Sequence, residues 1–279
     1  MTRFLVTLAA LAALAIGLAG CGGGTDLTAG MSAQQVLDEA SAKTDAITSY
    51  RFGVDVKATA TIPGNGVLAD ALRNPVELSG EGAAKDPGDF TLDLTANLGP
   101  GDIQANITKV GGALYASVLG QDIKLDVPAA TVRSLDPTRL APAISSWMTD
   151  PEVVGTEDID GMPMVHLRGG VDEEALAEDL SGLADGLGAG DAIDPGAARA
   201  SGDLETGTVD VWVGQEDLLI HRAAAEVASN DRLRVAPQVA ALSLDLSASL
   251  SDFGAPVEVT APTGAQTVDL GSITALLGG

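Results

Sequence analysis

The stretch SYRFGVDVKATATIPG, residues 49–64, decides the fold class. Within it Tyr50, Phe52, Val54, Val56, Ala58 and Ala60 alternate with Arg51, Gly53, Asp55, Lys57, Thr59 and Thr61. Successive side chains of an extended chain point to opposite faces, so this period of two describes a strand with one buried and one wet face. The alternation returns in Phe90, Leu92, Leu94 and Ala96, and again in Ile103, Ala105 and Ile107. Gly111 and Gly112 supply a tight turn into residues 113–119, and Ile123, Leu125 and Val127 continue the sheet. Residues 152–159 and 162–169 flank Asp160-Gly161, a pair suited to a type I′ turn because both central residues take positive φ. Further strands are predicted at 208–213, 218–228, 242–250 and 256–260.

Three segments carry helical spacing instead. In residues 32–47 the positions Val36, Leu37, Ala40, Thr44 and Ile47 share a face, with Ser32 as N-cap. Residues 137–148 open on a proline in the first turn. Residues 172–187 place Val171, Ala175, Leu176, Leu180, Leu183 and Leu187 on or near one side. The glycine-, alanine- and aspartate-rich stretch 188–207 predicts a long surface loop. Nine or ten antiparallel strands with helices inserted at a few places make an α+β fold, a curved sheet whose concave apolar face the helices cover.

At the N-terminus, Leu18-Ala19-Gly20-Cys21 forms a lipobox, and Cys21 is the single cysteine. Arg3 and the apolar run 4–19 ahead of it have the layout of a secretory signal peptide, shorter than the roughly 20 apolar residues of a membrane span. An ordinary signal with a chance cysteine would leave a free thiol on an exported chain, an oddity in that compartment. The expected product is therefore a lipoprotein, cut before Cys21 and acylated on it, held on the extracytoplasmic face of the cell membrane. Residues 1–20 are then the signal, 21–30 a flexible tether, and 31–279 a single domain.

Thirty-nine acidic residues face 15 basic ones, and removal of Arg3 takes the net charge from −24 to −25. Such a field repels nucleic acid, which is excluded as a partner. The acidity fits a salt-adapted or GC-rich genome as well as it fits a function. With no second cysteine there is no internal disulfide, so stability has to come from the core. Candidate chemistry is thin. His166 and His221 fall in predicted strands without partners at ligand spacing, and no G-x-S-x-G elbow occurs. Glu157, Asp158 and Asp160 lack the ligand spacing of a calcium loop, and Gly186, Gly188 and Gly190 follow a helix where a dinucleotide fingerprint precedes one. No catalytic residue, metal or cofactor is predicted. Trp147 and Trp212 suit a cavity mouth, a wall or a core equally.

The order of these features carries a resemblance. An acylated cysteine, a short tether, an N-terminal helix, the strand 49–64, the hairpin GGALYASV at 111–118 and the segment LSDFGAPVEVTAP at 250–262 together resemble the LppX/LprAFG lipoproteins of actinobacterial envelopes, from about Met31 to Pro262. The resemblance implies a half-barrel similar to the LolA and LolB carriers and an apolar cavity for acylated lipids or glycolipids. It also implies a non-enzymatic role in moving them across the envelope, beside a lipid exporter. The candidate cavity wall is then Phe52, Val54, Val56, Leu92, Leu94, Ile103, Ile107 and Leu114. The competing reading is a structural or sensory surface lipoprotein whose core is filled. Strong acidity and the loop 188–207 set this chain apart from the better-known members.

Overall fold

The computed structural model describes residues 26–61, 75–85, 88–97, 101–126, 139–186, 206–229 and 241–269. Cys21, the signal and most of the loop 188–207 lie outside them. The alternating stretch forms β1 (Ser49–Thr61) at the centre of one sheet. Around it run β2 (Val76–Lys85), β3 (Asp89–Asn97), β4 (Asp102–Val110), β5 (Ala113–Val118) and β6 (Gln121–Asp126). The second half supplies β7 (Met148–Ile159), β8 (Met162–Val171), β9 (Thr206–Gly214), β10 (Ile220–Ser229), β11 (Ala241–Ser251) and β12 (Gln266–Asp269). The order β12-β6-β5-β4-β3-β2-β1-β11-β10-β9-β8-β7 makes an open, twelve-stranded, mostly antiparallel sheet in an α+β half-barrel. Each half is a meander, and the halves join where β11 pairs with β1.

Register keeps the two faces separate across the sheet. Phe52 stands between Gly82 and Leu250, and Val54 between Gly80 and Ala248. The row through Val54 runs on through Ala223, Val211 and Leu167 on one side, and through Leu94, Ala105 and Val118 on the other. On the reverse face, Asp55 lies between Ser79 and Ser247, and that row continues to Ala224, Asp210 and Arg168. A slip of one residue would exchange these faces, so burial of the apolar one specifies the pairing.

Two strands escape the hydrophobic alternation. β2 carries Gly80 and Gly82 where its neighbours carry large apolar side chains. A Cβ on Gly82 would come within 2.4 Å of the Phe52 ring and of the Thr91 carbonyl oxygen, and one on Gly80 within 2.7 Å of Leu92. Neighbouring side chains fill the middle of β2, so its apolar period, present at Val76, Leu78 and Ala84, is interrupted at the two glycines. The strand predicted at 256–260 is absent: residues 255–262 form no ladder, and Pro256 has no N–H to donate. Instead β12 pairs with β6 in parallel, the exception to the antiparallel count. The Asp160-Gly161 turn joins β7 to β8 with φ of +54° and +81°, as a type I′ turn requires.

Helix α1 (Ala33–Asp45) buries Val36, Leu37, Ala40 and Thr44 against the apolar face. It begins with a reciprocal cap: the Gln35 N–H donates to Ser32 Oγ at 3.3 Å, and the Ser32 N–H to Gln35 Oε1 at 2.9 Å. Ser32→Ala is expected to cost about 1 kcal/mol of stability, read by urea denaturation. Helix α2 (Leu140–Ser146) is shorter than the predicted 137–148, because Met148 leaves the helix to pair with Val171 in β7. Helix α3 (Glu173–Gly186) follows β8. Residues 26–28, in the segment expected as a tether, make hydrogen bonds. The Thr28 N–H and hydroxyl bond to the Asp26 carboxylate, and the Leu27 N–H donates to the Gln215 carbonyl at 2.8 Å, fixing the chain from Asp26 onward. Among the described residues no helix is long and apolar enough to cross a membrane.

Candidate functional site

A groove of about 690 Å³ lies between α1 and α2 above the sheet. Gln34, Asp38, Ser41 and Asp45 line it from α1, at the three- and four-residue spacing that places them on one helix face. Arg139, Pro142, Ala143 and Ser146 face them from α2. Leu37, Ile47, Tyr50, Met148 and Leu250 add apolar contacts to a lining that is otherwise mainly polar. Its size falls within the ~300–1,000 Å³ of ligand clefts. Asp179 of α3 completes the rim and accepts a hydrogen bond from the buried Trp147 indole N–H at 2.8 Å. That bond ties α3 to the end of α2.

A smaller concavity of about 360 Å³ lies on the reverse face, among Asp55, Lys57, Glu77, Arg222, Glu226 and Asp245. Lys57 pairs with Glu77 there at 3.2 Å. Val56, Leu78, Ala224 and Leu246 line it as well, so charged and apolar side chains mix in its wall.

The eight wall candidates all belong to the covered face, but none lines the groove. Phe52, Val54, Leu92 and Leu114 are buried in the core, and Val56, Leu94 and Ile107 pack half-buried against it. Ile103, at the start of β4, is 47% exposed and stands apart from them. Tyr50, one row from Phe52, and Leu250, paired with Phe52 in the same row, line the groove. Sequence alternation marks a face; it does not say where the covering helices part.

On the reverse face β7, β8 and β9 carry a polar cluster that linear spacing concealed. His166, only 5% exposed, meets Glu157 Oε1 through Nδ1 at 2.7 Å and Asp210 Oδ1 through Nε2 at 2.5 Å. Its ring stacks on Trp212, whose indole N–H donates to Glu157 Oε2, and Arg222 lies over the outer face of that indole. Arg168 donates to Asp210 at 2.8 Å; that bond and the carboxylate charge raise the guanidinium pKa further above its ordinary value. Glu157 and His166 sit on the two arms of the β7–β8 hairpin while Asp210 and Trp212 come from β9, and the cluster laces three strands at the sheet's edge. Glu157 is thus spent on His166 and Trp212, while Asp158 accepts from the Gly161 N–H.

The other histidine braces the β9–β10 turn. Burial pushes the Asp217 carboxyl up, but a hydrogen bond from His221 at 2.8 Å and one from the Leu219 N–H at 3.0 Å outweigh it and hold the group below the usual carboxylate range. A depressed folded pKa contributes stability that is present above the unfolded value, about 3.9, and lost as pH falls through the folded one. Asp217→Asn is expected to flatten the acid limb of stability below about pH 4, measured by thermal denaturation across that range.

An open sheet whose apolar face the helices cover, with a groove between α1 and α2, defines an α+β half-barrel fold. The sequence profile of the LppX_LprAFG lipoproteins matches residues 32–259, and the chain belongs to that family. Among solved structures, it is similar to LprF from Mycobacterium bovis at 19% identity and a TM-score of 0.49, covering 84% of this chain and 97% of that one. It is similar to the lipoprotein LppX from Mycobacterium tuberculosis at 16% identity and a TM-score of 0.47, covering 82% and 100%. A LolA superfamily protein from Nitrosomonas europaea aligns at 12% identity and a TM-score of 0.27, covering 81% and 94%. No curated protein matches the chain.

Proposed function

We propose that this protein is a non-catalytic lipid carrier, a single domain anchored through acylated Cys21 at the outer face of the cell membrane. It takes acylated lipid or glycolipid between α1, α2 and the sheet and serves a lipid exporter. The observation that supports this reading is the groove itself, where Leu37, Ile47, Met148 and Leu250 lie among the polar side chains of α1 and α2. Each methylene kept from water contributes about 0.8 kcal/mol. A chain moving from bilayer to groove exchanges one apolar surrounding for another, so transfer is reversible and the protein's contribution is to exclude water on the way.

A filled-core surface lipoprotein is the second reading, favoured by the close packing of Phe52, Val54, Leu92 and Leu114. Native mass spectrometry with lipid extraction, on the soluble form beginning after Cys21 and expressed in a lipid-producing host, separates the two. A co-purifying lipid mass is expected for the wild type. Ala143→Trp, which fills the groove from α2, is expected to reduce lipid occupancy by about tenfold, equivalent to roughly 1.4 kcal/mol of lost binding. Apo protein that also refuses added diacyl and triacyl lipids would establish the filled core.

A further inference from the structure

The N-terminal segment is fixed to one particular end of the sheet. Leu27 donates its N–H to Gln215, and Gln215 donates its own to Pro163 at 3.0 Å. The start of the folded chain, the β9–β10 turn and the β7–β8 hairpin tip are therefore contiguous. Six residues separate Leu27 from Cys21, a reach of at most about 20 Å even when fully extended. An acylated Cys21 buried in a bilayer cannot leave this end far from the lipid surface. Leu27 and Met162, 39% and 40% exposed, stand on this end beside Asp26, Asp158, Asp160 and Glu216.

We propose that this end is the surface applied to the bilayer, with Leu27 and Met162 as its apolar contacts, and that the groove reaches the membrane there. The last turn of α1 supports the second part. Thr44 Oγ1 accepts from the Ile220 N–H at 2.9 Å, and Lys43 reaches the Asp217 carbonyl at 3.1 Å, so the groove-lining Thr44, Asp45 and Ile47 lie beside the same β9–β10 turn. The carboxylates flanking the two apolar side chains fit a surface of neutral or zwitterionic lipid and are repelled by an anionic one. This orientation rests on the anchoring part of the carrier reading and not on cargo binding.

The register supplies the control position. The Leu119-Gly120 turn between β5 and β6 lies in the other half of the sheet, eight strands from β8 and on a hairpin that turns away from this end, and Leu119 is 95% exposed there. Acylation consumes Cys21, so M162C and L119C would each present one free thiol on the full-length lipidated protein. Each is labelled with an environment-sensitive fluorophore and placed in zwitterionic liposomes containing lipid brominated on its acyl chains. The label at 162 is expected to shift blue and be quenched, and the label at 119 to stay aqueous. Anionic lipid should weaken the quenching at 162 at low salt, and added salt should restore it. Equal quenching at both positions, stronger quenching at 119, or none at either would overturn the proposal. Quenching at 162 in a protein that extracts no lipid would sink the carrier reading and leave this orientation standing.

Discussion

Gly82→Val is expected to destabilise the protein by about 3 kcal/mol, the upper end of overpacking costs, and to yield little folded material. The glycine's missing side chain is occupied space: an added Cβ meets the Phe52 ring and the Thr91 carbonyl oxygen, both at 2.4 Å. The ring can move only into its own packed surroundings, where Phe52 is 4% exposed, and the carbonyl belongs to the neighbouring strand and cannot turn away without leaving the ladder. Gly82→Ala combined with Phe52→Ala isolates the two contributions. Phe52→Ala alone is expected to cost about 3–5 kcal/mol, and the pair should cost less than the sum because the ring that meets the new Cβ is gone. Chemical denaturation of the four proteins measures this coupling. Strict additivity would show that Phe52 does not occupy the space above Gly82.

Cys21→Ser is expected to abolish acylation and, with it, lipid anchoring of the mature form. A single acyl chain binds a membrane only marginally, at about 10⁴ M⁻¹, whereas two or three chains at about 0.8 kcal/mol per buried methylene hold a protein there. No other thiol can take the modification, since the chain has one cysteine. Metabolic palmitate labelling and intact-mass analysis of wild type and variant are the measurements. Label retained on the serine variant would place the attachment elsewhere.

Both predictions show where alternation along the chain is informative. In β1 and β3 each inward position carries its own apolar side chain, and in β4 all do but the buried Lys109, so the period of two is visible locally. In β2 the middle inward positions are Gly80 and Gly82, and the apolar atoms above them belong to Phe52, Leu92 and Leu94. β12 is four residues long and pairs in parallel with a strand far away in sequence, so nothing within it signals its place. Half of the His166 cluster was concealed for the same reason: the hairpin already sets Glu157 beside His166, but Asp210 and Trp212 join them only because β9 pairs with β8. The groove was legible least. Its lining residues Tyr50 and Leu250 follow the same alternation as Phe52, and Leu250, 5% exposed, is as buried as Phe52, so alternation does not mark them.

By itself the sequence determined the sheet-rich class, the separation of apolar and polar faces, the capped first helix, the Asp160-Gly161 hairpin and the acidic surface. These follow from local rules, namely side-chain period, capping chemistry and positive φ, which act over a few residues and need no distant partner. Only the tertiary structure decided the strand order, the union of the two halves through β1 and β11, the pinning of residues 26–28 to Gln215, and the opening between α1 and α2. Each of these depends on contacts between segments remote along the chain, where one element's shape is set by the side chains that a neighbour lends to it.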